Sequence, residues 1–157
     1  MIRVLFICHG NICRSPMAEF ILKDMVAKRG IADQFYIASA ATSTEEIWNG
    51  VGNPVYPPAR EELAKHGISC EGKRAVQLTK QDYDNYDYLI GMDTMNMRNI
   101  ERMTDHREGK IFMLLEIAGR HESVADPWYT GDFKLTYDNI VEGCEAFLDM
   151  LKREDKI

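Results

Sequence analysis

The chain has 157 residues, enough for one domain with an adequate core, and its formal net charge is −6. That acidic balance argues against nucleic acid as the main partner. No apolar run is long enough to cross a membrane, and the short apolar N-terminal segment is unlike a signal peptide. The four cysteines lack metal-binding spacing. We therefore expect a cytoplasmic protein with free thiols, without a metal or another cofactor.

The first predicted elements are a strand, a loop and a helix. The apolar, β-branched run at residues 2–7 predicts a buried parallel strand that stops at Cys8. After a short loop, Ser15 is the predicted N-cap and Pro16 the first helical residue, where the missing N–H has no cost. Apolar residues then recur at helical spacing until about Gly30, a typical helix end.

Strands and helices continue to alternate along the rest of the chain. Further strands are predicted at 35–40, 88–92 and 110–115, helices at 59–65, from 79, from 94 and at 133–151, and loops at 44–58 and 126–130. This alternation predicts a single α/β domain over residues 1–157, an open four-stranded parallel sheet with helices on both faces. In such sheets ligands bind at the carboxyl ends of the strands, where Cys8 lies.

The junction between the first strand and helix is suited to binding an anion. Unpaired N–H groups and the positive end of the helix dipole meet there. A thiol such as Cys8 loses its proton readily in that setting, and the planar fork of Arg14 matches two phosphate oxygens. Together they indicate phosphoryl transfer through a phosphocysteine. The simpler alternative is a buried cysteine at a strand end and a solvated arginine.

The loop sequence resembles the low-molecular-weight protein tyrosine phosphatase family. The motif contains the predicted phosphate-binding loop Cys8, His9, Gly10, Asn11, Ile12, Cys13, Arg14 and Ser15. The resemblance covers essentially the whole chain and implies a flavodoxin-like fold of the phosphotyrosine phosphatase I type. It also implies a phosphotyrosine protein as substrate, inorganic phosphate as product, and a monomer or weak dimer.

Asp126 is the candidate for the general acid that protonates the leaving oxygen. Pro127 stiffens its loop, and the following aromatic residues would keep the site dry. From the motif alone, an ordinary Asp-Pro turn is an equal alternative. The resemblance favours the acid, because the family carries it in an Asp-Pro-aromatic-aromatic loop, although Trp128 stands where tyrosine is usual.

The resemblance assigns several supporting residues. It implies that Asn11, Ser15 and Ser39 brace the loop, with Ser15 hydrogen-bonded to the Cys8 thiolate. A histidine that often completes this brace near position 72 is missing. Cys13 is a candidate redox partner that would trap oxidised Cys8 as a disulfide, or else a small buried loop residue.

The pocket walls bear on the choice of substrate. A phenyl phosphate needs apolar sides, which Ile12, Trp48, Trp128 and Tyr129 would supply unless the aromatics belong to the core or surface. The related protein-arginine phosphatases carry threonine at the position of Ile12, so the branched apolar residue favours phosphotyrosine.

Three alternatives remain open. The first is a protein-arginine phosphatase. The second is a thiol-dependent arsenate reductase with a similar loop, which needs two further cysteines that residues 71–143 do not contain. The third is a non-catalytic phosphate-binding module, which the presence of both Cys8 and Asp126 disfavours.

Overall fold

The computed structural model describes all 157 residues. The strands are β1 (Ile2–Cys8), β2 (Phe35–Ala41), β3 (Ile47–Trp48), β4 (Val51–Gly52), β5 (Tyr88–Gly91) and β6 (Ile111–Met113). The α-helices are α1 (Arg14–Lys28), α2 (Pro57–Ala64), α3 (Asp82–Asn85), α4 (Thr94–Thr104), α5 (Leu114–Ile117), α6 (Pro127–Thr130) and α7 (Phe133–Arg153). None of these helices combines the length and apolar character needed to cross a bilayer.

The main sheet has four strands in the order β2-β1-β5-β6, and every pairing in it is parallel. This confirms the predicted fold class. The central strand β1 ends beside its neighbours, with Cys8 paired to Ala41 and Ile7 paired to Gly91. Because β1 lies where the strand order changes direction, its carboxyl end opens into the crevice that binds ligands in such sheets.

Strand β1 explains why both sheet faces are covered. Alternate side chains of a strand point to opposite faces, so Val4 and Phe6 pack into one apolar cluster while Leu5 and Ile7 pack into another. The first cluster has 26 buried residues, twelve of them from α1, α5 and α7, and the second has seven, including Ile100 of α4. The larger cluster therefore holds α1, the helix that follows the loop, against the sheet.

Two predictions about helix starts are wrong. Helix α1 begins at Arg14 rather than Pro16, and its N-cap Cys13 makes no side-chain capping bond. Ser15 lies inside the first turn, where its hydroxyl contacts side chains of the loop. The helix predicted from Thr79 is the single turn α3, which begins at Asp82; the Thr79–Asp82 contact of the predicted capping pattern is present, with the Thr79 N–H donating to the Asp82 carboxylate at 2.8 Å.

Other segments differ in their detail. The predicted loop at 44–58 contains the antiparallel hairpin β3–β4, and α2 begins at Pro57, which is favourable at a helix start. The fourth sheet strand is only three residues long and passes directly into α5. The predicted loop at 126–130 contains the helical turn α6. These differences leave the sheet order intact.

Candidate active site

The Cys8 sulfur lies at the carboxyl end of the central strand and is largely buried. The Ser15 hydroxyl is 3.0 Å from the sulfur, and the Asn11 N–H donates to it at 3.3 Å. Asn11 has φ of 58°, a left-handed conformation that asparagine tolerates better than most residues. The chain thereby turns back over the sulfur, and Ser15 and the Asn11 N–H both lie within hydrogen-bond reach of it.

The loop between β1 and α1 leaves most of its N–H groups free. Apart from Asn11, no residue from 9 to 13 donates a backbone hydrogen bond within the protein. The first turn of α1 follows directly and adds its own unpaired N–H groups. Such a group of donors at a helix N-terminus is suited to the oxygens of a phosphate.

Arg14 is held in place by groups from distant parts of the chain. Its Nη1 donates to the Asp93 carboxylate at 2.8 Å and to the Val124 carbonyl at 3.3 Å, and its Nη2 donates to Asp126 at 3.4 Å. Burial opposes the charge of Arg14, but Cys8 and the two aspartates outweigh burial and raise the Arg14 pKa above its ordinary value. The guanidinium is therefore permanently charged, and Arg14 lines the same cavity as Cys8.

Asp126 is the N-cap of α6, with its carboxylate accepting from the Trp128 N–H at 3.0 Å. The residue before it is fixed by α7, since Asn139 accepts from the Ala125 N–H at 3.0 Å and Thr136 donates to the Ala125 carbonyl at 2.8 Å. The Asp126 side chain remains about one third exposed. It is thus positioned by the fold and still open to a ligand.

A cavity of about 510 Å³ joins these groups, a volume typical of small-molecule sites. Its lining residues are Cys8, His9, Gly10, Ile12, Cys13, Arg14, Glu45, Glu46, Asp93, Met95, Asn96, Asp126, Trp128 and Tyr129. Of the predicted walls, Trp48 does not line the cavity, because its side chain projects from the β3–β4 hairpin and is 79% exposed.

Behind the loop, buried polar side chains form a continuous chain of hydrogen bonds. Asn11 Nδ2 donates to Ser15 Oγ at 2.7 Å and to Ser39 Oγ at 2.9 Å. Ser39 in turn donates to Glu19 Oε1 at 2.6 Å. The three predicted bracing residues are therefore brought together on the side of the loop away from the cavity, and Glu19 is an additional member.

Cys13 lines the same cavity as Cys8. Burial, reinforced by the nearby Cys8 and Asp126, raises the pKa of the Cys13 thiol to about 12. Cys13 is therefore a neutral thiol at physiological pH. The disulfide between Cys8 and Cys13 stays a prediction.

Three further residues contact this site. Asp93 caps α4 through its capping-box contacts with Asn96, and it also binds Arg14. Glu19 is an acidic residue on the apolar face of α1, a pattern that signals a buried charge with partners. Lys73 follows the position of the missing histidine and contacts both Ser39 and Glu19.

A buried sulfur at the end of a central parallel strand, beside free N–H groups and a fixed arginine, is the arrangement of cysteine-dependent phosphatases. Comparison with known proteins agrees. Residues 3–157 match the family described as low molecular weight phosphotyrosine protein phosphatase. The chain belongs to this family.

Individual relatives cover almost the whole chain. The low molecular weight protein-tyrosine-phosphatase YfkJ of Bacillus subtilis is 38% identical over an alignment of 160 positions, which covers 100% of this chain and 100% of YfkJ. PtpA of Staphylococcus aureus is 35% identical over 155 residues, 98% of this chain and 96% of PtpA.

Solved structures give the same result. The crystal structure of YfkJ matches with a TM-score of 0.89 and 39% identity, covering 98% of this chain and 96% of that one. The Drosophila arginine phosphatase DARP matches with a TM-score of 0.84 and 34% identity, covering 95% and 97%.

Proposed function

We propose that this protein is a protein-tyrosine phosphatase that hydrolyses phosphotyrosine and small aryl phosphates through a phosphocysteine on Cys8. The observation that carries the proposal is one cavity lined by a buried sulfur, a fixed guanidinium and a partly exposed carboxyl group, those of Cys8, Arg14 and Asp126. These are a nucleophile, an anion clamp and a proton donor, the three parts that the reaction needs.

In the first step, phosphate oxygens bind the free loop N–H groups and Arg14. The 3.4 Å contact between Arg14 and Asp126 is long for a hydrogen bond, so phosphate competes with it readily. The Cys8 sulfur attacks phosphorus, the bond from phosphorus to the phenolic oxygen breaks, and protonated Asp126 gives its proton to that oxygen. The products are tyrosine and a phosphocysteine.

In the second step, water replaces the phenol. Asp126, now a carboxylate, takes a proton from the water as its oxygen attacks phosphorus. The sulfur–phosphorus bond breaks and its electron pair returns to Cys8, where the Ser15 and Asn11 contacts support the thiolate again. Inorganic phosphate leaves, and Asp126 holds the proton needed for the next cycle.

The walls support an aryl substrate. Ile12, Trp128 and Tyr129 line the cavity, and Trp128 and Tyr129 are 63% and 85% exposed, so both rings are available to a phenyl group. Four free cysteines support the further proposal that the enzyme works in a reducing compartment, the cytoplasm.

Protein-arginine phosphatase is the second candidate. It is favoured by the similarity to DARP and by Glu45 and Glu46 at the rim, whose carboxylates would attract a cationic substrate. Ile12 argues against this candidate, because the related protein-arginine phosphatases carry threonine at that position. Hydrolysis of matched phosphotyrosine and phosphoarginine peptides separates the two candidates. We expect preference for phosphotyrosine, reduced in Ile12→Thr; a wild-type preference for phosphoarginine would reject the first candidate.

The mechanism is tested with four variants, two in the site and two controls. Cys8→Ser is expected to abolish phosphate release from p-nitrophenyl phosphate, whereas Cys13→Ser, the same change in the same loop, keeps most activity. Asp126→Asn is expected to lose more rate with phenyl phosphate than with p-nitrophenyl phosphate, because the poorer leaving group needs the proton. Asp132→Asn, which keeps an N-cap on α7, is the control. Equal losses on both substrates would remove Asp126 from the acid role.

A further inference from the structure

Exposed apolar side chains gather at the active-site cavity. Nine large apolar residues are exposed in the whole chain, and three of them, Met95, Trp128 and Tyr129, line this cavity. Single exposed apolar residues are normal on a protein surface, whereas a group of them around one cavity marks a binding site. Trp128 and Tyr129 are predicted walls, but Met95 comes from helix α4, which supplies no predicted wall.

Neither its helix nor the core explains Met95. It is the second residue of α4, after the N-cap Asp93 and Thr94, where the helix dipole favours an acidic residue. The smaller apolar cluster contains Ile100 and packs against Met97 of the same helix, but neither cluster includes Met95, which is 55% exposed. A residue that departs from the local preference and lies outside the core is typical of a functional position.

The start of α4 has a fixed place beside the phosphate-binding arginine. The Asp93 carboxylate caps the helix by accepting from the Asn96 N–H at 2.7 Å, and its other oxygen accepts from Arg14 at 2.8 Å. Asn96 completes the cap by accepting from the Asp93 N–H at 3.2 Å. Met95 lies between the two capping residues, so its backbone is fixed relative to Arg14, while its unbranched thioether side chain can adapt to a ligand.

We propose that Met95 is a specificity-determining residue, the wall on the α4 side of the cavity that contacts the aromatic ring of phosphotyrosine. The inference rests on the proposed phosphatase function and adds a contact for the ring. A thioether beside an aromatic ring forms a favourable contact in addition to the apolar surface that the two groups bury. The short alkyl phosphate of phosphoserine carries no ring, so the contact favours phosphotyrosine.

This contact separates recognition of the ring from recognition of the phosphate. The free loop N–H groups and Arg14 bind phosphate oxygens whatever group the phosphate carries. The Met95 side chain has no charge and no hydrogen-bond donor, so it contributes nothing comparable to an anion. Loss of the thioether is therefore expected to weaken binding of an aryl ligand and to spare a small anion of the same charge.

The test compares phenylphosphonate with methylphosphonate, two non-hydrolysable probes that share the anionic head and differ in the ring. Titration followed by NMR gives the Kd of each probe for the wild type, Met95→Ser and Met95→Leu. In Met95→Ser we expect the Kd of phenylphosphonate to rise about two- to tenfold while that of methylphosphonate stays unchanged. Met95→Leu keeps an apolar side chain of similar volume and is expected to recover most of the affinity.

Val51→Ser is the matched control. Val51 is also an exposed apolar residue, at 58%, but it lies on strand β4 and does not line the cavity. Its replacement is expected to leave both Kd values in place. An unchanged Kd for phenylphosphonate in Met95→Ser, or an equal rise for both probes, would overturn the proposal.

Failure of the proposed phosphatase function has a different signature, because neither probe is hydrolysed. In that case the difference between the two probes persists in a protein that releases no phosphate from phosphotyrosine peptides. In an active enzyme, Met95→Ser is expected to raise KM for p-nitrophenyl phosphate about two- to tenfold and to leave kcat unchanged, since the ring contact is present before and during the chemical step. A fall in kcat with an unchanged KM would contradict a role in binding the ring.

Discussion

Asp93 makes two contacts that substitution can separate. One carboxylate oxygen accepts from the Asn96 N–H at 2.7 Å and caps α4, and the other accepts from Arg14 at 2.8 Å. Alanine removes both contacts, whereas serine keeps a cap. Loss of the cap is expected to lower the free energy of unfolding of Asp93→Ala by about 0.5–2 kcal/mol. In a chain of this size each kcal/mol lowers Tm by about 2–4 °C.

Both Asp93→Ala and Asp93→Ser lose the contact with Arg14, so we expect kcat/KM to fall in both variants. A hydrogen bond between charged groups contributes about 1.5–3 kcal/mol, which corresponds to a fall in kcat/KM of about 10- to 150-fold. The assay is hydrolysis of p-nitrophenyl phosphate beside thermal unfolding. A serine variant with wild-type kcat/KM, or one as unstable as the alanine variant, would refute the division of roles.

Three further predictions concern the thiols, the hairpin and metals. Because the Cys13 pKa is raised to about 12, iodoacetamide at pH 7 is expected to label Cys8 well before Cys13, as mass spectrometry would show; equal rates contradict this. A Cβ in Gly52→Ala would overlap the Ala75 carbonyl oxygen, and calorimetry should record a fall of about 1–3 kcal/mol in the free energy of unfolding. Turnover is expected to persist in EDTA, because Cys8, Arg14 and Asp126 supply the nucleophile, the anion clamp and the proton donor of the proposed reaction.

The strand, loop and first helix were predictable because their signals are local. A continuous apolar run marks a buried strand, and the loop from Cys8 to Ser15 is contiguous in the chain. The order of later strands and helices followed from the same periodicities, and the parallel sheet followed from their alternation.

The rest depended on contacts between distant residues. Ser15 has the chemistry of a helix cap, and only the position of the sulfur and of Asn11 makes its hydroxyl face the loop instead. Arg14 and Asp93 form an ion pair although they are 79 positions apart in the chain, and Glu19 has partners from β2 and from the segment before α3. The spacing of residues along the chain does not predict such long-range contacts.

The dependence of Asp126 on helix α7 has a consequence for biosynthesis. The loop and Arg14 leave the ribosome before Thr136 and Asn139, the α7 residues that hold Ala125 next to Asp126. A nascent chain therefore carries the nucleophile long before its proton donor is fixed. Full turnover therefore requires that α7 has been made, and truncation within α7 would silence the enzyme without removing the residues that perform the chemistry.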